Sequence, residues 1–534
     1  MLLNTCRSAI LGYQSSELRA LSRFNHHLLN RSLKTLSAKC QASNDADKSS
    51  DKMGSDFTRD EKCEHYDIII NGGGIVGLSF LLSLQRSPFL RNLRVLMLEH
   101  HSEPSTLSLQ ELINQDRKLS NRVSSITLAS KRFLDKLEVW NSVQTFVKPI
   151  SSMHVWSTNY SKGITFTPQR TSFVDNFIKN DGCTVDNQLH PSDSVCYVLE
   201  NDILLSALVQ NVDNSSIKFN TRLESISSDD SHIYLKTNDG HEMSTCLLIG
   251  SDGFDSFVRK VSNFNYQSID LGQNGIVGTI QVSKQSDADL NDVAYQRFIP
   301  HMKSVLAILP LTDYHASIVL SVPRARTTAF MEMTDEAFVD TLNEALFYEK
   351  AGQQGSPFSF VIETFDNIID RIVPQDKLQS SLPRVNPPQV LSVEEGSRAT
   401  YPLHFGTTLP KLVSTIKGGG SKKIVLIGDA AHRIHPLAGQ GLNLGLGDAE
   451  VLSRRLEKSL SNGEDIFSDH HSAREQLNQA LFDMERQRLV KLIPMMAGIQ
   501  TMQPLFSYLP GNTFRVFNQL SLLKNEVVRF ANSV

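Results

Sequence analysis

Tyr66-Asp67-Ile68-Ile69-Ile70-Asn71-Gly72-Gly73-Gly74-Ile75-Val76-Gly77 decides how this 534-residue chain folds. The isoleucine run reads as a strand buried on both faces, the signature of a parallel sheet. Gly72, Gly74 and Gly77 occupy Gly-x-Gly-x-x-Gly positions, and Leu78 to Gln85 continues as a helix. A second strand, Arg94 to Leu98, ends at Glu99, 22 residues after Gly77. Strand, glycine turn, helix, strand and acid in this order form a dinucleotide-binding fingerprint. Gly72 is expected to make the turn, Gly74 to admit a pyrophosphate, and Gly77 to let helix and strand pack. Glu99 stands where a carboxylate meets the adenosine ribose.

Far downstream, Gly428-Asp429-Ala430-Ala431-His432-Arg433-Ile434-His435-Pro436-Leu437-Ala438-Gly439-Gln440-Gly441-Leu442-Asn443 follows an apolar strand, Lys423 to Ile427. It leads into a helix-period segment from Leu442 to Leu460. A strand that ends in Gly-Asp and hands over to a glycine-rich helix start suits a polar cofactor. Asp429 can accept from a sugar hydroxyl. Pro436 stiffens the turn, and the amides from Gly439 through Gln440 and Gly441 to Leu442 can point at a ring or phosphate. Between the two motifs lies a third, Leu247 to Arg259, a strand running into Gly250-Ser251-Asp252-Gly253.

These three motifs, in this order, resemble the aromatic-hydroxylase family of FAD-dependent monooxygenases, whose type member hydroxylates p-hydroxybenzoate. The resemblance implies FAD as cofactor, with the first motif holding its ADP part and the last its riboflavin part. It places Asp252 and Gly253 near the pyrophosphate. Asn121-Arg122-Val123-Ser124-Ser125-Ile126, Val198 to Asp202, Tyr295 to Pro300, Ile308 to Leu311 and Glu485 to Arg488 narrow the likeness to the ubiquinone-biosynthesis branch. It covers roughly residues 66–488. By it, Arg122 would contact the FAD phosphate and adenine region, and Asn443 would belong to the riboflavin site.

The branch implies hydroxylation of the aromatic ring, at C5, of a polyprenylated phenol, with O2 as oxidant. It also implies ferredoxin and ferredoxin reductase as electron source, other ubiquinone-biosynthesis proteins as partners, and peripheral contact with the matrix side of the inner mitochondrial membrane. Only one dinucleotide fingerprint is present, so no separate nicotinamide domain is expected. Arg454, Arg455 and the Arg486 to Arg488 stretch could supply a basic face for an acidic ferredoxin. Such chemistry belongs to the cofactor and needs no side-chain nucleophile, so no catalytic residue is assigned. Gln296 and Arg297 could orient pocket groups or serve the fold alone. A hydroxylase of another phenol, or a non-catalytic FAD-holding scaffold subunit, is separated from this reading by a turnover assay.

The expected fold class is α/β: a doubly wound FAD-binding domain, a sheet-based substrate domain and a C-terminal helical segment. The FAD-binding domain is expected in three pieces (65–150, 201–265, 401–475), the substrate domain in two (151–200, 266–400), and the helical region at 476–534. Segments 158–194 and 376–423 look like insertion sites. Between Pro300 and Pro310 the branch usually carries Thr-Gly-Pro, and this chain has His301 to Ala307 instead. Gly418-Gly419-Gly420-Ser421-Lys422 lacks the spacer of a phosphate loop and reads as a plain loop.

Residues 1–44 carry six basic residues against Glu17 alone, with abundant Ser and Leu, a mitochondrial transit composition. Residues 45–64 read as a linker. The whole chain has a net charge of −4, so the body without the leader is more acidic still, which argues against nucleic acid as partner. The six cysteines show no metal-ligand spacing, and His432 and His435 lie inside the flavin motif without a third ligand in sequence reach, so no metal is expected. From Asn512, the residues Phe517, Leu520, Leu523, Val527, Phe530 and Val534 share one helical face, suited to the protein's own body or to a membrane or partner protein.

Overall fold

A computed structural model describes residues 63–103, 117–157, 160–168, 194–229, 232–284, 292–347, 386–416, 423–434, 439–468 and 470–508. The transit segment, Pro436, the 418–422 loop and the apolar face from Asn512 lie outside these residues.

The isoleucine run forms the strand Glu64–Asn71, and Ile68, Ile69 and Ile70 are fully buried. Parallel neighbours flank it on both sides, Val95–Leu98 on one and Glu242–Gly250 on the other. Lys423–Leu426 extends the parallel set beyond Glu242–Gly250. The sheet order among the described strands is Val413–Ser414, Lys423–Leu426, Glu242–Gly250, Glu64–Asn71, Val95–Leu98, Ile217–Lys218. Three stretches separated by more than a hundred residues thus share one sheet, the doubly wound arrangement expected. The helix Ile75–Arg86 packs on it and against the helix Gly441–Ser461. Gly445 permits that approach: a Cβ there would stand 2.6 Å from Val76 Cγ2.

A second sheet of nine strands is built around Gln267–Val282, sixteen residues long. Its neighbours His315–Pro323 and Ala399–Thr407 run antiparallel to it. Alternate residues Ile276, Ile280, Ile308, Ile318 and Leu320 face Phe338 and Leu342 of the helix Asp335–Phe347. This period of two is what a one-sided antiparallel sheet requires. Of the segment His301 to Ala307, His301 to Lys303 close a hairpin between Val293–Ile299 and Ser304–Pro310, with Lys303 left-handed at its tip (φ 50°), and Ser304 to Ala307 are already strand. A small third sheet joins Val123–Ile126, Cys196–Glu200 and Lys148–Ile150. Val198, Ile150 and Cys196 pack on Ala294 of the large sheet.

Two expected boundaries shift. The division at residue 400 cuts the strand Ala399–Thr407, which pairs along its length with Gln267–Val282 and belongs to the second sheet. His432–Arg433, within the last flavin motif, pairs with Gly406 and Thr407 and joins the same sheet. Hydrogen-bond pairing set these limits, and composition does not report it. The C-terminal helical region starts at His471 rather than 476, as a helix reaching Tyr508.

Candidate functional site

The glycine turn after the first strand has the geometry its spacing demands. Gly72 takes φ +111°, and a Cβ on it would lie 2.5 Å from the Ser251 carbonyl oxygen. Gly77 sits so close that a Cβ would reach 2.1 Å from the Gly72 oxygen. Gly74 differs: a Cβ there meets nothing within 4 Å. Gly72 and Gly77 are therefore packing glycines, and Gly74 faces open space at the N-terminus of Ile75–Arg86. The first amides of that helix have no acceptor one turn back, which makes the end electropositive.

Glu99 ends the neighbouring strand, and its carboxylate accepts from Gly73 N at 2.5 Å and from His101 N at 2.8 Å. Burial pushes its carboxyl up, but these amides and the His101 ring outweigh burial and hold it below its ordinary value. It is ionised beside the glycine turn.

The middle motif locks onto the first. Asp252 accepts from Asn71 Nδ2 at 3.0 Å and from Val258 N at 3.2 Å. Ser251 Oγ donates to the carbonyls of Asn71 and Gly72 at 3.1 and 2.8 Å. Burial pushes the Asp252 carboxyl up, against opposing bonds from Ser256 and Val258. Its second oxygen, Oδ1, is buried with no hydrogen-bond partner in the protein. Gly253 has φ +74° with open space where a Cβ would stand.

The last motif supplies the third wall. Gly428 has φ +62° and its N–H donates to Asp448 Oδ2 at 3.0 Å. Asp429 is solvent-accessible. Dense surrounding protein still pushes its carboxyl up, with Arg433 and His432 opposing. An accessible yet crowded side chain is what the wall of a deep recess provides. Gly439 (φ +58°) lies against Ser125, where a Cβ would come 2.2 Å from Oγ. Gln440 is buried and its Oε1 has no protein partner. Gly441 opens the helix Gly441–Ser461 toward free space, and Leu444 N is the first amide bonded back, to Gln440 O at 3.0 Å. The amides of Gly441, Leu442 and Asn443 therefore form a second electropositive helix end.

Asn443 itself turns away from that opening. Its side chain is fully buried, donates to Ser125 O at 2.7 Å and accepts from Thr127 N at 3.0 Å. It ties the helix start to Val123–Ile126, so only its backbone is left for a ligand. Arg122, at the start of that same strand, is exposed.

The largest feature missing from the sequence reading is a buried charge cluster. Asp448 is fully buried and accepts from His432 Nε2 at 2.7 Å and from Arg488 Nε at 2.7 Å. Burial opposes its charge, but His432 and Arg488 hold the carboxyl below the usual range. Arg488 Nη2 also donates to Leu444 O at 2.9 Å. The neighbouring Glu485 accepts from the Leu412 and Val413 amides at 2.8 and 3.2 Å. One signal was available: Asp448 is an acid among the apolar helix positions Leu444, Leu446, Ala449 and Leu452.

This cluster corrects one expectation. Arg488 is 1% exposed and cannot serve a docking face, although Arg454 and Arg486 are exposed. His432 is committed to Asp448. Arg297 is likewise buried, donating to Ala345 O at 2.9 Å with its guanidinium over Trp156, on the helix side of the second sheet. It serves packing rather than a pocket.

Residues 417–485 match the family model described as FAD binding domain. The mitochondrial ubiquinone biosynthesis monooxygenase COQ6 of Xenopus tropicalis is 30% identical over 487 residues, covering 88% of this chain and 93% of that protein. The protein of the same name from Drosophila melanogaster is 31% identical over 458 residues, 84% of each chain. Among solved structures, PqsL of Pseudomonas aeruginosa, described as a probable FAD-dependent monooxygenase, superposes with a TM-score of 0.55 at 17% identity, covering 85% of this chain and all of that one. That likeness speaks for the fold alone.

Proposed function

The chain belongs to the family of ubiquinone biosynthesis monooxygenases, and from that premise we propose that it hydroxylates C5 of the aromatic ring of a polyprenylated phenol. It is an FAD-dependent monooxygenase of ubiquinone biosynthesis, with relatives named as mitochondrial. The observation that supports the placement of FAD is a pair of helix N-termini, at Gly74 and Gly441, each with open space where a side chain would stand, on helices that pack together at Val76 and Gly445. The buried Asp252 Oδ1 and Gln440 Oε1, which lack hydrogen-bond partners among the described residues, are acceptors left for a polar group of the cofactor.

On this reading the amides after Gly74 bind the pyrophosphate and Glu99 binds the adenosine ribose. Arg122 lies on the adenine and phosphate side. Asp252, with the Gly253 turn, lines the pyrophosphate. Gly428 and Asp429 hold the ribityl chain, and the amides from Gly439 to Asn443 face the flavin ring. Bound and reduced, FAD would supply O2 activation, one oxygen atom going to the ring carbon and the other to water. The chain's task is to hold the phenol against the flavin, keep bulk water out and stabilise the phenolate with the helix dipole. The Gly441 helix end does the last without moving a proton.

Ferredoxin and its reductase are the proposed electron source, with exposed Arg454 and Arg486 as contact points. Other ubiquinone-biosynthesis proteins and the matrix face of the inner membrane are the proposed surroundings. Among the described residues no helix is long and apolar enough to cross a membrane. The test is turnover of the purified flavoprotein under 18O2 with reduced ferredoxin or NADPH in parallel. One labelled oxygen at C5 of a prenylated phenol, with ferredoxin as the productive donor, is expected. Label at another carbon overturns the ring position, and turnover with NADPH alone overturns the donor. Stable bound flavin with no product in either arm favours a scaffold role.

A further inference from the structure

The opposite pole of the nucleotide-binding sheet carries a second chemical cluster. His65 stands near the start of Glu64–Asn71, and Cys246 stands in the middle of Glu242–Gly250. His232 immediately precedes Ile233–Thr237, which pairs antiparallel with the first half of Glu242–Gly250. The register sets His65 beside Ser244 and Ser244 beside Tyr234. Side chains two residues apart share a face, so His65, Ser244, Cys246 and His232 all rise from the same side of the sheet. One ligand atom from each of His65, His232 and Cys246 lies within 4.8 Å of the others. His65 Nε2 is 3.8 Å from Cys246 Sγ, and the two imidazoles meet edge to face with centroids 4.8 Å apart.

The surrounding shell suits a metal. His65 Nδ1 lies 3.1 Å from Ser244 Oγ, so a proton on Nδ1 turns the Nε2 lone pair toward the thiol. Cys246 is buried, and its thiol donates to Phe467 O at 3.2 Å. Cys63, two residues before His65 and just ahead of the strand Glu64–Asn71, is an exposed free thiol outside the group of ligand atoms that already converge. Tetrahedral zinc, with bonds of about 2.0–2.3 Å, holds its ligand atoms about 3.3–3.8 Å apart. The cluster needs adjustments of about an ångström to meet that spacing. Two imidazoles and two thiols are the donor set of a closed structural site, and they select a borderline-soft ion over magnesium or calcium.

We propose that His65, His232 and Cys246, with Cys63 as fourth ligand, bind one soft divalent transition-metal ion, zinc above all. The ion displaces the two thiol protons to solvent, and no electron is transferred. The site would pin the leading edge of the first strand to the Ile233–Thr237 hairpin, remote from the glycine turns.

Cobalt tests this, because a tetrahedral thiolate site gives intense visible bands and sulfur-to-cobalt charge transfer. The full chain is stripped of metal in a background with Cys6, Cys40 and Cys183 replaced by serine, and titrated with Co2+, then with Zn2+ as competitor. Bound flavin is read alongside as a check on folding. One equivalent with both band sets, displaced by zinc, is expected. His232→Gln, at a half-buried site, should weaken binding at least ~10-fold, and Cys63→Ser should roughly halve the charge-transfer intensity. A weak octahedral spectrum without charge transfer in the parent, or undiminished affinity in His232→Gln, overturns the site. An unaltered spectrum in Cys63→Ser overturns the fourth ligand.

Discussion

Asp429, in the last motif, and Asp448, in the helix that continues from it, lie nineteen residues apart and have opposite fates. Asp429 reaches solvent from a crowded wall, with its charge opposed by the surrounding protein. Asp448 is sealed in the core, and its charge is satisfied by His432, Arg488 and the Gly428 amide. The second acid builds the surface on which the first is presented. By pinning Gly428 N and, through Arg488, the Leu444 carbonyl, it sets the distance between the strand end and the helix start. Side-chain identity alone does not separate a ligand-facing acid from a structural one, and the partners do.

The sharpest way to break this contrast is Asp448→Ala. It leaves a buried guanidinium and imidazole without their anion and should cost about 3–5 kcal/mol of stability. Urea unfolding measures it, with flavin loss following from the collapsed wall. A cost below about 1 kcal/mol would put Asp448 in the same class as Asp429.

Gly74→Val comes next. The valine points into open space, so the apoprotein should keep its unfolding midpoint while flavin affinity falls more than ~100-fold, about 3 kcal/mol. Gly77→Ala is its opposite number: the Cβ strikes the Gly72 carbonyl, so stability falls with or without flavin. Absorbance of the purified variants and thermal unfolding of the apoproteins separate the two.

Asp429→Ala should weaken flavin binding by about 1.5–3 kcal/mol, roughly 10–150-fold, through loss of a charged hydrogen bond. Its unfolding curve without flavin should match that of the parent. A matched loss of stability would mean that Asp429, like Asp448, holds the fold.

The smallest effect is in pH. The Asp448 carboxyl sits below its unfolded value when folded, so on acidification the unfolded chain takes up the proton first. Its contribution is whole above pH about 4 and is lost as pH falls through the lower folded value. Unfolding free energy followed from pH 5 downward should show an acid limb that is shallower in Asp448→Asn. Identical limbs would assign the acid sensitivity to other carboxylates, such as Glu99.

The first motif was open to sequence reading because its demands are local. A buried parallel strand requires a continuous apolar run. A turn at φ +111° and a helix packed against the Gly72 carbonyl require glycine. These constraints act within a dozen residues for Gly72, Gly74 and Gly77, and Glu99 follows from the end of the next strand, 22 residues after Gly77. The α/β class followed, and so did the order of the three motifs. Asn443 stands in the last motif by sequence, but its side chain serves the strand Val123–Ile126. Its own neighbourhood shows only the bond to Gly439 O, because its strand partners, Ser125 and Thr127, lie more than three hundred residues away.

The amino-acid sequence by itself determined where the chain must turn, which strands are buried on both faces, and which helix starts are left free of side chains. Those are properties of φ, of Cβ volume and of apolar period, all set residue by residue. The tertiary structure alone decided that Arg488 and His432 neutralise Asp448, that Ala399–Thr407 belongs to the second sheet, and that His65, His232 and Cys246 share one face. Charge pairing, strand pairing and ligand convergence depend on distance in space, and the fold brings together residues that the chain keeps far apart.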